Sequence, residues 1–499
     1  MSRLHTLISV LLTTLVLLSA CREQQISDDP TLRLSFSTDT LAFDTVFSTI
    51  GSSTKRMMIY NTNKNALLIR SVSHQSPYFH INLDGENRED LLHDITLNGG
   101  DSLFLFVRVN VDPQDVNSPV LIEDPLLFTV NGHTDTVLMQ AYGQNVEIIR
   151  SAKGRTEYGS HFFRNTKPYL IYDTIVIGGT TLLEAGATLY MHSGANIVCY
   201  GSFKAEGTPT APIRIQGDRT DRLFENVPYA HASGQWGGIY LYHTADMPVP
   251  AYRFCHTEIL SGTIGIYCVN ETPYDRPAFS MYNSRIHNHA AYGIVLQNVD
   301  DTIANSEISN CAGYCVYLQG GEHVLIHNTI AGYFGYPYTN LNIHNTSPQD
   351  VAALFVNDMS KSTAPNSLTL LNSIVTGRRD NSFVVATPLP AAFSGDVRHN
   401  YLKADTLHQA WCSDNQYAQK EDTVFRNIYY LYQEYKYYDF HLSEHSPAIG
   451  IADTMATLLL PYDRDENPRD LPADAGCYQL IVDNSYLGKA SNDRLKAVR

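Results

Sequence analysis

Charge is what this chain has little of. Asp, Glu, Lys and Arg make up 17% of its 499 residues, against roughly 25% in soluble proteins at large. Such a composition excludes a coiled coil and a charge-driven disordered chain. The 51 acids outnumber the 35 bases for a net charge of -16, which excludes nucleic acid as a partner held by broad electrostatics. Also missing are any CxxC or Cys/His zinc spacing, a phosphate loop and a catalytic-triad motif, so no metal and no cofactor is expected. Asn, Ser, Thr and 32 tyrosines stand where charge would otherwise be. They favour turn-rich β structure facing water. With 43% hydrophobic residues, the chain can fill a core but is too long for one ordinary domain.

The first twenty residues read as a leader. Arg3 and His5 precede an apolar run from Leu7 to Leu18, short for a membrane span and right for a secretory signal. It ends in Leu18-Ser19-Ala20-Cys21, which resembles the lipobox of bacterial lipoproteins. That resemblance implies acylation of Cys21 (a palmitate-type lipid), removal of residues 1–20, and an outer-membrane lipoprotein facing the cell surface or the periplasm. Residues 21–30 form a polar tether containing Ser27-Asp28-Asp29, either an export signal or a plain linker. Seven cysteines remain, an odd number that leaves at least one thiol unpaired in an exported chain.

From 31 to 147, short alternating runs are split by Gly, Asn, Pro and Asp. Candidate strands lie at 33–37, 56–60, 67–71, 79–83, 103–109, 126–130 and 136–141. Seven strands over this length predict an immunoglobulin-like β-sandwich without a disulfide.

A repeat follows. Asn283-Ser284-Arg285-Ile286 and Asn305-Ser306-Glu307-Ile308 lie 22 residues apart, His327-Asn328-Thr329-Ile330 follows after another 22, and Asn372-Ser373-Ile374 after 44 more. A second word, Gly293-Ile294-Val295-Leu296 and Cys315-Val316-Tyr317-Leu318, keeps the period, with earlier copies at Gly238-Ile239-Tyr240-Leu241 and Gly265-Ile266-Tyr267-Cys268. A period near 20 carrying one strand word predicts a solenoid. Alternation places Ile239/Leu241, Ile266/Cys268, Ile294/Leu296 and Val316/Leu318 on one inward face, making Cys268 a small buried hydrophobe. The Asn283/Asn305 pair, continued by His327 or Asn328, is expected at a corner where amides bond along the axis. Roughly ten coils at about 4.8 Å give a rod on the order of 45–50 Å, interrupted by excursions at 218–233, 271–277 and 336–365.

These words resemble the right-handed parallel β-helix family, specifically exported lipoproteins in which an immunoglobulin-like module precedes the helix. The first coil carries the likeness in Thr181-Leu182-Leu183-Glu184-Ala185-Gly186-Ala187, Gly201-Ser202-Phe203, Pro212-Ile213-Arg214-Ile215 and Trp236-Gly237-Gly238-Ile239. Ser446-Pro447-Ala448-Ile449 and Asp474-Ala475-Gly476-Cys477-Tyr478 are similar to a terminal module that folds back over the last coil. The resemblance thus implies an all-β chain: a right-handed parallel β-helix at 148–400, preceded by the sandwich and followed by a C-terminal cap at 401–482 and a polar tail at 483–499. A cap is also required physically, because a last coil exposes unpaired strand edges.

Chemistry is harder to find. Many parallel β-helices are polysaccharide lyases or hydrolases, but fold alone does not decide activity. Asp300-Asp301 lacks the companion motifs of polygalacturonases and reads as a solvated turn between coils. His287 and His289 share one face of an extended segment, a possible ligand or proton-transfer pair, yet the 22-residue step carries them onto Ser309 and Cys311. Tyr336 and Tyr338, with Tyr333 and Phe334, could stack on sugar rings or cover the rod, as could the tyrosines of 429–438. Asp463, Asp465 and Asp474 beside Arg464 and Arg469 read as an ion-paired cap rather than a cation site. Asp followed by Thr or Ser and an aliphatic residue, as at Thr40, Thr174 and Thr302, resembles an O-glycosylation signal; strand grammar is the alternative. The expectation is a lipid-anchored envelope protein binding polysaccharide or an envelope protein along its rod without catalysis. The alternative is a polysaccharide lyase or glycoside hydrolase with its site beneath 336–365. A groove with three or more convergent charged groups on adjacent coils would favour the enzyme, and one lined by Asn, Ser, Thr and Tyr would favour binding.

Overall fold

The computed structural model describes residues 25–481, apart from 49, 84, 86–90, 113–118, 225–226, 273–274, 336–348, 358–365, 388–392, 406–409, 421–422 and 430–436. Two compact units meet at Asn145/Val146.

The first unit is an immunoglobulin-like sandwich. One sheet orders Ser35–Phe36, Lys55–Tyr60, Ser102–Val109 and Phe79–Leu83; the other orders Thr40–Phe47, His133–Gln144, Val120–Val130, Leu67–Ser73 and Leu91–Leu97. Alternation drives it: Leu105, Val107 and Val109 are buried while Phe104 and Phe106 face outward, and the inward residues of both sheets form one core. Nine strands stand where seven were expected. Thr40–Phe47 is one of the two additional strands; its register against His133–Gln144 shifts between Ala42 and Thr45, interrupting the alternation. The strand expected to start at Leu126 starts at Val120. Pro125 lies within it, beyond Leu127, where pairing with Leu67–Ser73 ends and the strand keeps a single neighbour.

The second unit is a right-handed parallel β-helix. Three parallel sheets of 11, 9 and 10 strands form its faces, called here first, second and third. One coil runs from Arg285–His287 on the first face to Tyr292–Gln297 on the second and Asp300–Ala304 on the third, returning one coil on as Glu307–Ser309. The 22-residue step is the strand pairing itself: Ile286 faces Ile308, which faces Ile330. Ile239/Leu241, Ile266/Cys268, Ile294/Leu296 and Val316/Leu318 stack in register and are fully buried. Cys268 lies between Leu241 and Leu296 in that column.

Corners, rather than strands, set the register. The corner before the first face is a column of left-handed residues, His256, Asn283, Asn305, His327, Asn372, His399 and Asp414, with φ between 41° and 57°. Asn and Asp are the side-chain-bearing residues that tolerate this region best. The next residue in each coil accepts a backbone bond from the coil before: Ser284 N–H donates to Ser306 Oγ (3.1 Å), Ser306 N–H to Asn328 Oδ1 (3.0 Å), Asn328 N–H to Ser373 Oγ (3.0 Å) and Ser373 N–H to Asn400 Oδ1 (2.8 Å). Asn305 Nδ2 donates to Asn283 Oδ1 at 2.7 Å. One expectation is corrected here. Ile374 does not continue the Ile330 column; Val375 does, and Ile374 pairs with Thr329. Asn372 holds the left-handed corner and Ser373 the ladder site, so Ile374 falls one place early and turns outward.

The C-terminal segment covers a flank, where the sequence suggested that it lay across the last coil. Phe425–Asn427 pairs with Asp439–Leu442, and a short helix Thr454–Leu459 follows, capped by Asp453, whose Oδ1 accepts Ala456 N–H at 2.8 Å. Phe425, Phe440, Leu442, Ala448 and Tyr478 form a second core against the outward side chains of the first face, Ala331, Tyr333, Ile374 and Tyr401. Those side chains are the reason for the placement: left bare they would form an exposed apolar patch.

Candidate functional site

The anticipated residues are built into packing. His287 ends its strand, and Asn288 at φ 65° turns the chain, so His287 and His289 do not share one extended face. His287 is buried under Tyr438 and Phe440, its Nδ1 2.8 Å from Ser309 Oγ, which donates to Glu307 Oε1 at 2.5 Å. Burial and then Arg285 hold it well below the ordinary imidazole range. His289 has its Nε2 3.1 Å from the Ile259 carbonyl, and burial pulls its pKa down to about 4. Neither can be a charged proton donor near neutral pH.

Asp300 and Asp301 are strand residues, not a solvated turn. Asp300 pairs with Arg276 at 2.8 Å and accepts Glu322 N–H at 2.9 Å. Asp301 points inward, because it occupies the buried position that Phe279 takes one coil earlier, and it bonds His323, its register partner. Burial raises its carboxyl, partly opposed by His323. Tyr336, Tyr338 and Cys21 lie outside the described residues. Tyr333 is buried in the flank core and Tyr437 stacks on His231, which is cover rather than platform. Asp463 accepts four bonds from Asp465 N–H, Asn467 N–H and Nδ2, and Gln479 N–H. Among the described residues no cluster of His, Cys, Asp or Glu is suited to hold a metal ion.

A different surface emerges on the second face. Val198, Tyr240, Tyr267, Val295, Tyr317, Phe355 and Val384 stack in register, one per coil, with half-buried rings on the outer side. Seven coils at about 4.8 Å make a strip on the order of 30 Å long. Tyr240 and Tyr267 have ring centroids 6.0 Å apart, and Tyr317 and Phe355 lie 5.8 Å apart at 8°. Tyr200 and Tyr242, and Tyr292 and Tyr314, stack beside them at 5.8 and 5.9 Å. Amides run alongside: Gln297 Nε2 donates to Gln319 Oε1 (3.0 Å), which also accepts Tyr317 Oη (3.1 Å), and Asn357 Nδ2 donates to Tyr317 Oη (2.8 Å). Burial raises the phenols of Tyr240, Tyr242 and Tyr314, keeping their hydroxyls protonated. The signal was in the repeat word. Ile239 and Leu241 face inward, so the residue between them, Tyr240, must face out.

A second concavity lies on the first face, where the flank segment leaves a groove of about 470 Å³. Arg378, Lys403 and Lys420, with Asp380 and Asp405, line it over successive coils, above Tyr333, Thr376 and Tyr401. Tyr333 Oη and Thr376 Oγ1 are 3.1 Å apart, and Lys403 Nζ donates to the Gly377 carbonyl at 3.0 Å.

No family model matches the chain, and no curated protein matches it. Solved structures resemble fragments of it at a TM-score of 0.17. The VesB protease of Vibrio cholerae is 16% identical over 23% of this chain and 32% of its own, and a family 123 glycoside hydrolase from Clostridium perfringens is 7% identical over 23% and 30%. A PapD-like domain of human CEP192 is 9% identical over 25% of this chain and 93% of its own. The chain spans about a third of the length of the first two.

Proposed function

We propose that this is a lipid-anchored cell-envelope protein whose β-helix binds a glycan chain along the tyrosine strip of the second face. The anchor reading rests on the leader and on Cys21; among the described residues no helix is long and apolar enough to cross a membrane. The observation that carries binding is the column of Tyr240 and Tyr267, then Tyr317 and Phe355, two aromatic pairs separated by the buried Val295, with amides beside it. Aromatic faces stack on the C–H faces of sugar rings while amides and phenols exchange hydrogen bonds with hydroxyls. Its repeat along the axis suits a polymer. A lining of Tyr, Gln and Asn is the kind that favours binding over catalysis.

The test is affinity electrophoresis of the purified protein in gels containing neutral or acidic polysaccharides, repeated with Tyr267→Ala and Tyr317→Ala. Retardation that both substitutions weaken supports the reading, and migration unaffected by every polysaccharide ends it. One observation bears on the enzyme alternative: the charged residues Arg378, Asp380, Lys403, Asp405 and Lys420 line the first-face groove on adjacent coils. Release of unsaturated or reducing products from any of these polysaccharides would establish it.

A further inference from the structure

We infer that the polymer held on the second face is a linear, uncharged polysaccharide running along the rod axis, about one sugar residue per coil. This rests on the glycan reading of the tyrosine strip and narrows it to a substrate class.

Charge is spread unevenly over the three faces. Of the nine strands of the second face, only the first, Arg155–Tyr158, contains Asp, Glu, Lys or Arg, and its Arg155 and Glu157 pair with each other. None from Thr174–Ile177 to Phe383–Ala386 does. By contrast, Lys204, Arg253, Asp300 and Glu322 lie in strands of the third face, and Arg214, Glu258, Arg285 and Glu307 in strands of the first. Charges that reach the strip do so from the connections: Glu271 acts on Tyr242, and Arg379, which acts on Tyr314, is paired with Asp350 at 3.6 Å.

An acidic polymer would bring a carboxylate or sulfate to coil after coil and find no base in the strands beneath it. Covering such charges without a counter-charge costs free energy. The chain's 51 acids against 35 bases add repulsion. A neutral sugar meets neither penalty. Its hydroxyls suit the amides of Gln297, Gln319 and Asn357 and the phenols of Tyr240 and Tyr267, groups that both donate and accept, while its C–H face suits the rings.

The axial step gives the course of the chain. Strands of successive coils lie about 4.8 Å apart, close to the span of one residue in an extended β-1,4-linked polysaccharide. Such a chain keeps step with the two aromatic pairs, Tyr240 with Tyr267 and Tyr317 with Phe355, on either side of Val295.

The test is isothermal titration of the full chain with β-1,4-linked probes that differ in charge: mannohexaose against hexamannuronate, cellohexaose against hexaglucuronate, and the two neutral trioses. A neutral hexaose is expected to bind at least about tenfold tighter than its acidic counterpart. It should also bind tighter than its own triose, with little dependence on salt. Tyr267→Ala is expected to weaken it about fivefold, and Tyr267→Phe to keep most of the affinity. Melting temperatures of both variants separate loss of the ring from loss of the fold, and Tyr317→Ala gives an independent second loss. A hexuronate that binds as tightly as its neutral partner, and is weakened by Tyr267→Ala, would overturn the uncharged class while leaving the strip a glycan site. Equal affinity for triose and hexaose would overturn the axial course. Binding of none of the probes would overturn the class together with the strip reading on which it rests.

Discussion

Tyr478 Oη donates to Glu307 Oε2 at 2.5 Å, joining residues 171 apart in sequence and tying the C-terminal segment to the flank of the β-helix. Glu307 belongs to a column of alternating charge on the first face, Arg214, Glu258, Arg285 and Glu307, one per coil. Arg464 enters beside it, 3.3 Å from Glu258 Oε1. Burial alone would raise the Glu307 carboxyl, but Arg285, then His287 and Arg464, outweigh it and hold it below the ordinary carboxylate range. Tyr478→Phe removes one charge-assisted bond and is expected to cost about 1–3 kcal/mol. Glu307→Gln leaves Arg285 without its ion-pair partner, while Arg464 keeps Glu258 and Asp465, and is expected to cost more, about 3–5 kcal/mol. Denaturant unfolding with limited proteolysis checks both. Cleavage near 425–480 should precede cleavage of the coils, and equal stability of Glu307→Gln and the parent chain would contradict this account.

The flank also carries a group that weakens its hold as pH rises. His441 has Nδ1 2.5 Å from Asp439 Oδ1 and Nε2 2.8 Å from Asp465 Oδ2. Burial lowers its affinity for a proton, but the two carboxylates prevail and raise its pKa to about 9. A raised imidazole stabilises the fold fully below its unfolded value near 6.5, and that contribution disappears as pH climbs through about 9. The melting temperature of His441→Asn should therefore fall short of the parent's at pH 6 and approach it by pH 9.5. A gap constant across that range would remove His441 as the cause.

Buried histidines act with the opposite sign. His231 and His289 are pulled down to about 4 by burial, and His287 and His327 are also held well below their ordinary values by burial. Unfolding lets each take a proton below about 6.5, so stability present above that pH is lost progressively as pH falls toward 4. An acid unfolding transition whose midpoint moves down in His289→Gln is the expected result; a midpoint unmoved in that variant would show that other groups drive it.

At the corner, Asn328 does two jobs. Its Oδ1 accepts Ser306 N–H at 3.0 Å, and its Nδ2 donates to the Ile303 carbonyl at 2.7 Å. Asn328→Ala strands a buried donor and a buried acceptor, and should cost about 2–4 kcal/mol, more than a surface change and less than loss of a coil. Asn328→Ser, which restores the group found at Ser306 and Ser373, should recover a good part of it. Urea midpoints of the three chains measure this directly.

Periodicity alone determined much of this protein. A step of 22 residues, two inward positions in each strand word and Asn at the corners were enough for a solenoid, because every coil meets the same steric and hydrogen-bonding demands as its neighbours, and the resemblance of those words implied the parallel β-helix. Even the tyrosine strip was legible, since the residue between two inward side chains has no choice but to face out. What needed the tertiary structure was anything that joins distant segments. Whether Asp301 met water or the core depended on its register against Phe279 and His323. Whether Ile374 or Val375 lay beneath Ile330 depended on which residue took the left-handed corner. The C-terminal segment reached the first face rather than the last coil because Tyr333, Ile374 and Tyr401 needed apolar cover, and Glu307 and Glu258 took Tyr478 and Arg464 as partners. Those requirements are set by side chains dozens to hundreds of residues apart, and no local pattern records them.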